Sequence, residues 1–330
     1  MKPFGYLRPA SVTEAVRAGA AHPGARFLGG GTNLVDLMKL GVETPHLLID
    51  VTRLPLDRTD PTPEGGLRIG ATVRNSDLAA HPLVRAHYPV LSQALLAGAS
   101  GQLRNVATTG GNLLQRTRCP YFQDVSKPCN KRVPGTGCPA REGAHRDLAV
   151  LGHSENCVAT HPSDLSAALA ALDATVELHG PEGERTVPVT GFHRLPGENP
   201  DQDTVIRPGE LITGVTLPPS PEGSAQLYRK VRDRASYAFA LVSVAAVLTV
   251  REGRVRHAAL AFGGLAHRPW RATTAEAVLR DAPATAETFA RAADAELAAA
   301  RPLRDNAFKV GLARRLTVDV LTELTGRTSA

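Results

Sequence analysis

The chain has 330 residues, which is more than one typical hydrophobic core needs and suggests two or three domains. Its content of 42% hydrophobic and 21% charged residues is ordinary for a soluble globular protein. The net charge of +6 comes from scattered basic residues without a basic helix or an aromatic stacking platform, so we expect no nucleic-acid partner. No segment approaches the roughly 18 apolar residues of a membrane helix, so we expect no membrane contact.

The N-terminal part of the chain has the pattern of a β–loop–α–β unit. Ser11 and Glu14 form a capping box, which predicts a helix that ends near Ala21. The pattern then predicts a strand, a helix and a second strand at residues 25–28, 33–39 and 46–51. The loop before the predicted helix 33–39 is rich in glycine.

Further elements follow on both sides of a long irregular segment, residues 115–157, which is rich in Pro and Gly. A bound metal centre would explain an irregular segment of that length inside a domain. Strands are expected at residues 67–71 and 209–218, a hairpin from Thr175, and helices at 75–80, 88–97 and 162–171. A linker is expected at residues 218–223, followed by a hairpin with strands at 239–250 and 255–262, and by helices at 274–280, 286–300 and 308–324.

Two glycine-rich loops are candidates for binding phosphate. The first reads Leu-Gly-Gly-Gly-Thr-Asn-Leu over residues 28–34, and the second reads Thr-Thr-Gly-Gly-Asn over residues 108–112. Consecutive glycines let backbone N–H groups converge on an anion, although a tight structural turn explains either loop equally well. The first loop matches neither the dinucleotide fingerprint nor the P-loop. The presence of two such loops favours a pyrophosphate held from both sides, and hence a dinucleotide.

All four cysteines of the chain lie in one segment, with the spacing Cys-x9-Cys-x8-Cys-x18-Cys. They are Cys119, Cys129, Cys138 and Cys157. Four thiols can hold a [4Fe–4S] cluster or a structural zinc ion, or can form two disulfides. The spacing is neither that of common zinc sites nor that of bacterial ferredoxins, so it leaves all three possibilities open.

Asp164 and Lys230 are two further candidates for binding a nucleotide. Asp164 follows Thr160-His161-Pro162-Ser163, where an acidic residue or a serine commonly caps a helix. Its functional role would be to accept a hydrogen bond from a ribose or an adenine. Lys230 is interpreted either as an exposed lysine of a strand or as a cation that stabilises the negative charge of a reduced flavin. His161 fits a packing histidine at the start of a helix.

Taken as a set, these segments resemble the FAD-binding medium subunit of the xanthine dehydrogenase/molybdenum hydroxylase family. The likeness covers nearly the whole chain and rests on residues 28–34, 107–112, 162–165, 209–212, Lys230 and 302–306. The cysteine segment resembles one branch, the FAD subunit of periplasmic aldehyde oxidoreductases, in which four such cysteines hold an extra [4Fe–4S] cluster. The resemblance therefore implies that the cofactors are FAD and a [4Fe–4S] cluster.

The resemblance implies an α+β fold. This is the vanillyl-alcohol-oxidase-type FAD-binding fold of two subdomains, expected at residues 1–55 and 56–220, with a C-terminal α+β domain at 224–330. The implied cluster ligands are the four cysteines. The implied FAD-binding residues are Phe27, Leu28, Gly29, Gly30, Gly31, Thr32, Asn33, Leu34, Thr108, Thr109, Gly110, Gly111, Asn112, Asp164, Ile212 and Lys230. Asp164 is expected at the adenosine half, and Ile212 and Lys230 beside the isoalloxazine.

The resemblance also implies a heterotrimer that works as an aldehyde oxidoreductase. A large subunit would carry the molybdenum cofactor and a small subunit two [2Fe–2S] clusters, and FAD in this chain would pass electrons to an external acceptor. No catalytic acid or base is expected here. The alternatives are a free-standing FAD-dependent reductase of the same fold and a zinc-stapled binding module. The branch is exported folded with a signal-bearing partner, so we expect the periplasm, with the cytoplasm as the alternative because the start of the chain lacks a secretory signal.

Overall fold

The structure is a computed structural model, and it describes residues 1–328. Its strands form a three-stranded, a five-stranded and a four-stranded sheet. They are β1 (Gly5–Leu7), β2 (Arg26–Leu28), β3 (Leu47–Asp50), β4 (Thr59–Pro61), β5 (Leu67–Gly70), β6 (Thr175–Gly180), β7 (Gly183–Pro188), β8 (Leu211–Leu217), β9 (Ala225–Val231), β10 (Val242–Arg251), β11 (Arg254–Gly263) and β12 (Trp270–Arg271).

The helices are short in the first two thirds of the chain and longer near its end. They are α1 (Val12–Ala21), α2 (Leu34–Lys39), α3 (Asn75–Ala80), α4 (Pro82–His87), α5 (Pro89–Ala97), α6 (Gly101–Arg104), α7 (Thr109–Leu113), α8 (Pro120–Gln123), α9 (Asp164–Ala171), α10 (Val189–Phe192), α11 (Thr273–Leu279), α12 (Ala286–Leu297) and α13 (Phe308–Thr328). None of the helices within residues 1–328 is both long enough and apolar enough to cross a lipid bilayer.

The N-terminal sheet is parallel, with the strand order β1-β3-β2. Helix α1 begins after Ser11, whose hydroxyl accepts the N–H of Glu14 at 3.1 Å. The Glu14 carboxylate reaches back to the N–H of Ala10 at 2.7 Å, one residue before the expected partner. This local capping explains why the helix starts where the sequence predicts. The first glycine-rich loop follows β2 and leads into α2, as expected for a β–loop–α–β unit.

The five-stranded sheet has the order β4-β5-β8-β6-β7, with every neighbouring pair antiparallel. It brings residues 59–70 next to residues 175–217, which are far apart in sequence. Its core includes Leu67, Ile69, Val176 and Val215, each at most 1% exposed. Helix α9, which is buried along its whole length, packs against α5 and against strands β10 and β11 of the third sheet.

The C-terminal sheet has the order β12-β11-β10-β9 and is covered by α11 and α13, and α12 packs against both of these helices. The predicted hairpin is present as β10 and β11, which turn at Glu252 and Gly253. Both turn residues have positive φ, of 53° and 69°, as a two-residue type I′ turn requires. Every residue of β10 except Arg251 is buried, which explains why this strand reads as a continuous apolar run.

The cysteine segment, residues 115–157, has little regular structure but a small core of its own. It contains α8 and one 3-10 turn at Pro139–Arg141. Phe122 is fully buried in a cluster that includes the cysteine side chains. The Arg132 guanidinium donates to the carbonyl oxygens of Tyr121 and Phe122, at 2.5 and 2.6 Å. The segment is therefore a packed subdomain rather than an open loop.

Candidate functional site

A cleft of about 770 Å³ lies where the first glycine-rich loop, the second glycine-rich loop and the C-terminal sheet meet. It is large enough for a sizeable cofactor. Its walls include several residues that the sequence analysis selected, namely Thr32, Asn33, Gly111, Asn112, Asp164 and Lys230. Other wall residues belong to no motif in the sequence, among them Asn75, Arg118, Tyr237 and Phe239.

The two glycine-rich loops touch each other. A Cβ atom on Gly29 would lie 2.7 Å from the Thr108 hydroxyl oxygen, and one on Gly30 would overlap the carbonyl oxygen of Val106. Gly31 has a φ of +70°, in the left-handed region that glycine adopts at little cost. The three glycines therefore permit a close approach between the loops, whatever else they bind.

The loops differ in how many of their polar groups remain available. In the second loop, the Gly110 N–H donates to the Ala71 carbonyl at 2.8 Å and the Thr109 hydroxyl to the Val73 carbonyl at 3.1 Å. The N–H of Gly111 donates to the Thr108 hydroxyl at 3.2 Å, which caps α7. In the first loop, the N–H groups of Gly30, Gly31 and Thr32 donate to no acceptor within residues 1–328. Among the glycine N–H groups compared, the free donors are therefore on the first loop.

Two asparagines on the cleft wall have a buried polar atom without a partner. The Asn33 side-chain oxygen accepts the N–H of Arg116 at 2.8 Å, whereas its nitrogen Nδ2 is buried and unpaired within the described residues. The side-chain oxygen of Asn75 is likewise buried and unpaired there. Buried polar atoms are nearly always hydrogen-bonded in native proteins, so each of these two atoms lacks an expected partner.

Asp164 and Lys230 form one buried ion pair on the cleft wall. Lys230 Nζ lies 2.7 Å from Asp164 Oδ2, and the two side chains are 3% and 8% exposed. The Tyr228 hydroxyl donates to the other carboxylate oxygen, and burial together with the Asp164 charge raises the pKa of Tyr228 well above its usual value. Because they touch, these two residues occupy a single position on the wall. The resemblance implies Asp164 at the adenosine half and Lys230 beside the isoalloxazine, and both assignments stay predictions.

Four residues that were expected to contact FAD lie behind the cleft wall. Ile212 is 3% exposed within β8 and belongs to the core of the five-stranded sheet. Phe27 packs against the same core, and the Leu28 carbonyl accepts the N–H of Val51 at 3.0 Å. Thr109 is fully buried. None of these four lines the cleft, and the same holds for six other predicted contact residues, namely Gly29, Gly30, Gly31, Leu34, Thr108 and Gly110.

The four cysteines line a second, much smaller cavity. They are free thiols, and all but Cys138 are buried. Burial raises the pKa of Cys119 to about 11, whereas a hydrogen bond from Cys157 lowers the pKa of Cys138 to about 6. Within residues 1–328, no set of three or more His, Cys, Asp or Glu residues is arranged to hold a metal ion. The thiols thus surround a common space without converging on one point. Cys119 lines both this cavity and the large cleft.

A buried polar group lies beside both cavities. His161, His193 and His267 line a small void, and burial lowers the pKa of each imidazole, to about 4 for His193. Lys131 and Arg116 both pair with Asp203 there, and Arg116 also pairs with Glu43 at 2.7 Å. Of these residues only His161 has a sequence signal, because the others come from distant parts of the chain.

Comparison with known proteins decides the family. Residues 2–220 match the model described as the FAD binding domain in molybdopterin dehydrogenase, and residues 197–324 match the CO dehydrogenase flavoprotein C-terminal domain. The chain is 56% identical to the aldehyde oxidoreductase FAD-binding subunit PaoB of Escherichia coli, over 98% of each chain. The chain belongs to the FAD-binding medium subunits of the xanthine dehydrogenase family.

Other relatives and solved structures agree with this family. A carbon monoxide dehydrogenase medium chain from Hydrogenophaga pseudoflava is 29% identical, over 92% of this chain and 88% of its own length. The solved carbon monoxide dehydrogenase of that organism, in a form lacking the Mo-pyranopterin moiety, matches with a TM-score of 0.79 at 27% identity, covering 99% of this chain and 98% of the other. A quinoline 2-oxidoreductase from Pseudomonas putida shares the fold, with a TM-score of 0.76.

The expected fold class is therefore confirmed: this medium subunit has the FAD-binding fold followed by the C-terminal α+β domain of its family. As a family member it is an oxidoreductase subunit of the molybdenum hydroxylase type. The family match also confirms FAD as the expected cofactor. The predicted domain boundaries and FAD-contact residues stay predictions.

Proposed function

We propose that this chain is the flavin subunit of a heterotrimeric molybdenum-dependent aldehyde oxidoreductase. A large subunit with the molybdenum cofactor would oxidise the aldehyde, and a small subunit with two [2Fe–2S] clusters would deliver the electrons. FAD bound here would pass them to an external acceptor. The proposal is supported by the family and by 56% identity to the E. coli aldehyde oxidoreductase subunit.

The residues of the cleft fit FAD. Thr32 and Asn33 of the first loop line the cleft, and the N–H groups of Gly30 and Gly31 lie beside them in the same loop. A pyrophosphate would accept hydrogen bonds from the unpaired N–H groups of this loop and from the Asn33 side chain. We assign Gly29–Leu34 to the pyrophosphate as its main cradle, with Thr108 and Gly110–Asn112 packed against it. FAD supplies the redox chemistry by taking up and releasing electrons singly or in pairs.

The chain's own residues would set the surroundings of the flavin. The Asp164 carboxylate neutralises Lys230, so this lysine adds little net charge to the cleft. Arg118 is the more effective cation, because no carboxylate within the described residues lies at ion-pair distance from its guanidinium. Burial lowers the pKa of Arg118, which reflects the cost of holding a charge away from water.

The four thiols that line the cysteine cavity are a ligand set of the kind that holds a [4Fe–4S] cluster. Four thiols line one enclosed space, and cluster iron is held by cysteine thiolates. We therefore assign Cys119, Cys129, Cys138 and Cys157 as the cluster ligands.

The proposal of two linked redox centres rests on Cys119, which lines both the cysteine cavity and the large cleft. A cluster held by this sulfur would border the flavin cleft directly. The cluster would then be close enough to exchange electrons with the flavin.

The decisive experiment measures the cofactors of the purified chain. We expect a flavin absorption spectrum, release of one FAD per chain on denaturation, and iron and sulfide in equal amounts. Single Cys129→Ser and Cys138→Ser variants should lose most of the iron and keep FAD. A chain that contains zinc and no flavin would refute the proposal, and a chain with FAD but no iron would refute the cluster alone.

The remaining parts of the proposal concern organisation and location. We propose domain boundaries at residues 1–55, 56–220 and 224–330, which limited proteolysis of the 218–223 linker would test. We propose the periplasm as the location, with export of the folded complex by a signal-bearing partner, on the strength of the branch that the cysteine segment resembles. Cell fractionation that found the complex in the cytoplasm would overturn this location.

A further inference from the structure

The connection between β9 and β10, residues 232–241, lies at the mouth of the cleft. We call it the mouth loop. Its side chains Asp233, Arg234, Tyr237 and Phe239 all line the cleft, yet Tyr237 and Phe239 remain 54% and 48% exposed. Residues that line a cleft and also face solvent lie at its opening. Tyr237 has a φ of +52°, a left-handed conformation that is costly for a bulky residue.

Two arginines of the cysteine segment hold this loop. Arg146 makes a bidentate ion pair with Asp233, with both N–O distances at 2.9 Å. The Arg118 guanidinium lies over the Phe239 ring, 5.0 Å from its centroid. Arg118 also donates to the carbonyl of Arg116 at 3.0 Å, which fixes the guanidinium from the side of the cysteine segment.

The two contacts act on different ends of the mouth loop. Asp233 lies near β9 and Phe239 near β10, so together they span the loop and leave Tyr237 between them. Arg146 is braced in turn, because its guanidinium lies 5.1 Å from the ring centroid of Phe308 at the start of α13. By contrast, Arg232 and Arg234 bond to carbonyl oxygens of α5 and of the loop itself.

We propose that the cysteine segment clamps the mouth loop over the cleft, through Arg118 and Arg146, and thereby controls passage between solvent and the cleft. The segment then has a mechanical role besides holding its thiols. The identity of the cleft's occupant, FAD, rests on the proposed function, whereas the clamp itself does not. Opening the clamp would free the loop backbone to leave this conformation and speed exchange of the occupant.

Trypsin cleavage after Arg234 reports opening of the mouth loop, because a protease needs the backbone around the cut bond to unfold locally. When the loop opens and closes faster than trypsin cleaves it, the cleavage rate is proportional to the fraction of molecules with an open loop. One exposed ion pair or one cation–aromatic contact shifts such an equilibrium by about two- to fivefold. We expect Arg146→Ala and Arg118→Ala each to raise the rate of cleavage at this bond about two- to fivefold. Mass spectrometry of the new fragment measures this rate.

Arg141→Ala is the matched control. Arg141 belongs to the same segment but pairs with Glu155 and the Ser154 carbonyl, away from the mouth loop. Its variant should cleave at the wild-type rate. Equal rates in wild type, Arg118→Ala and Arg146→Ala would overturn the clamp, and so would an equal increase in Arg141→Ala.

A second measurement separates the clamp from the proposed function. The rate at which FAD leaves the purified protein can be followed by the fluorescence of the released flavin. We expect faster release from Arg118→Ala and Arg146→Ala than from Arg141→Ala. Faster loop cleavage with unchanged FAD release would overturn control of passage. A protein without FAD would refute the proposed function and leave the cleavage test of the clamp valid.

Discussion

Replacing Lys230 by methionine tests what the buried ion pair on the cleft wall does. The change keeps the length and most of the volume of the side chain but removes its charge. Asp164 then stays 8% exposed without its cation. Because the two charges lie 2.7 Å apart, their attraction is about 6 kcal/mol at an effective dielectric constant of about 20. Desolvation of both ions offsets much of this attraction.

Removal of one partner of a buried pair costs about 3–5 kcal/mol, because the remaining charge is left uncompensated. Here the hydroxyl of Tyr228 still donates to Asp164, so we expect Lys230→Met to lose about 3 kcal/mol of unfolding free energy. The double variant Asp164→Leu/Lys230→Met has no buried charge at this position. We expect it to lose about 1–2 kcal/mol, less than Lys230→Met alone.

The assay is urea unfolding of the FAD-free chain, followed by circular dichroism, for the wild type, both single variants and the double variant. The coupling energy from this cycle isolates the pair. FAD titration of the same proteins then shows whether the pair also acts on the cofactor. A Lys230→Met midpoint equal to that of the wild type, or a double variant less stable than both singles, would refute the reasoning.

Three further predictions concern other parts of the site. Asn33→Leu removes the unpaired amide donor and should weaken FAD binding about tenfold, measured by fluorescence titration. Gly30→Ala should force the two glycine-rich loops apart and weaken FAD binding more than tenfold, whereas Gly101→Ala, with nothing within 4 Å of the added methyl group, should bind normally. Burial raises the pKa of Asp203, but the charges of Lys131 and Arg116 outweigh it and hold the pKa well below its usual range. This carboxylate therefore stabilises the fold above its unfolded pKa near 4, and the stabilisation is lost as the pH falls below that value. When the thermal unfolding temperature is measured at decreasing pH, it should decline less steeply for Asp203→Asn than for the wild type.

The sequence predicted elements whose signals are local. The helix at residues 75–80 and the capped helix after Ser11 were confirmed at or within a residue of the expected bounds. The hairpin of β10 and β11 was also confirmed, because a Gly-containing turn separates two long apolar runs. The helix predicted to begin at Pro162 begins instead at Asp164, since Ser163 is its N-cap. The Ser163 hydroxyl accepts the N–H of Ser166 at 3.0 Å.

Contacts between distant residues could not be predicted from a single sequence. Arg118 and Phe239 are far apart along the chain, and neither belongs to a motif. His193 and His267 join His161 only after three separate segments fold together. Asp164 and Lys230 were each identified from local context, but local context does not reveal that one neutralises the other.

The two glycine-rich loops look equivalent in sequence, but the structure gives them different tasks. The second loop uses its N–H groups for its own folding, since Gly110 and Gly111 both donate within the protein. Gly110 also packs closely on Ala71, where an added Cβ would lie 3.2 Å from the alanine methyl. The first loop keeps its donors free and is pressed against the second. Hence the second loop supports the first loop and fixes its position. Substitutions in the second loop should therefore weaken anion binding by displacing the N–H donors of the first loop, and not by removing hydrogen bonds to the anion.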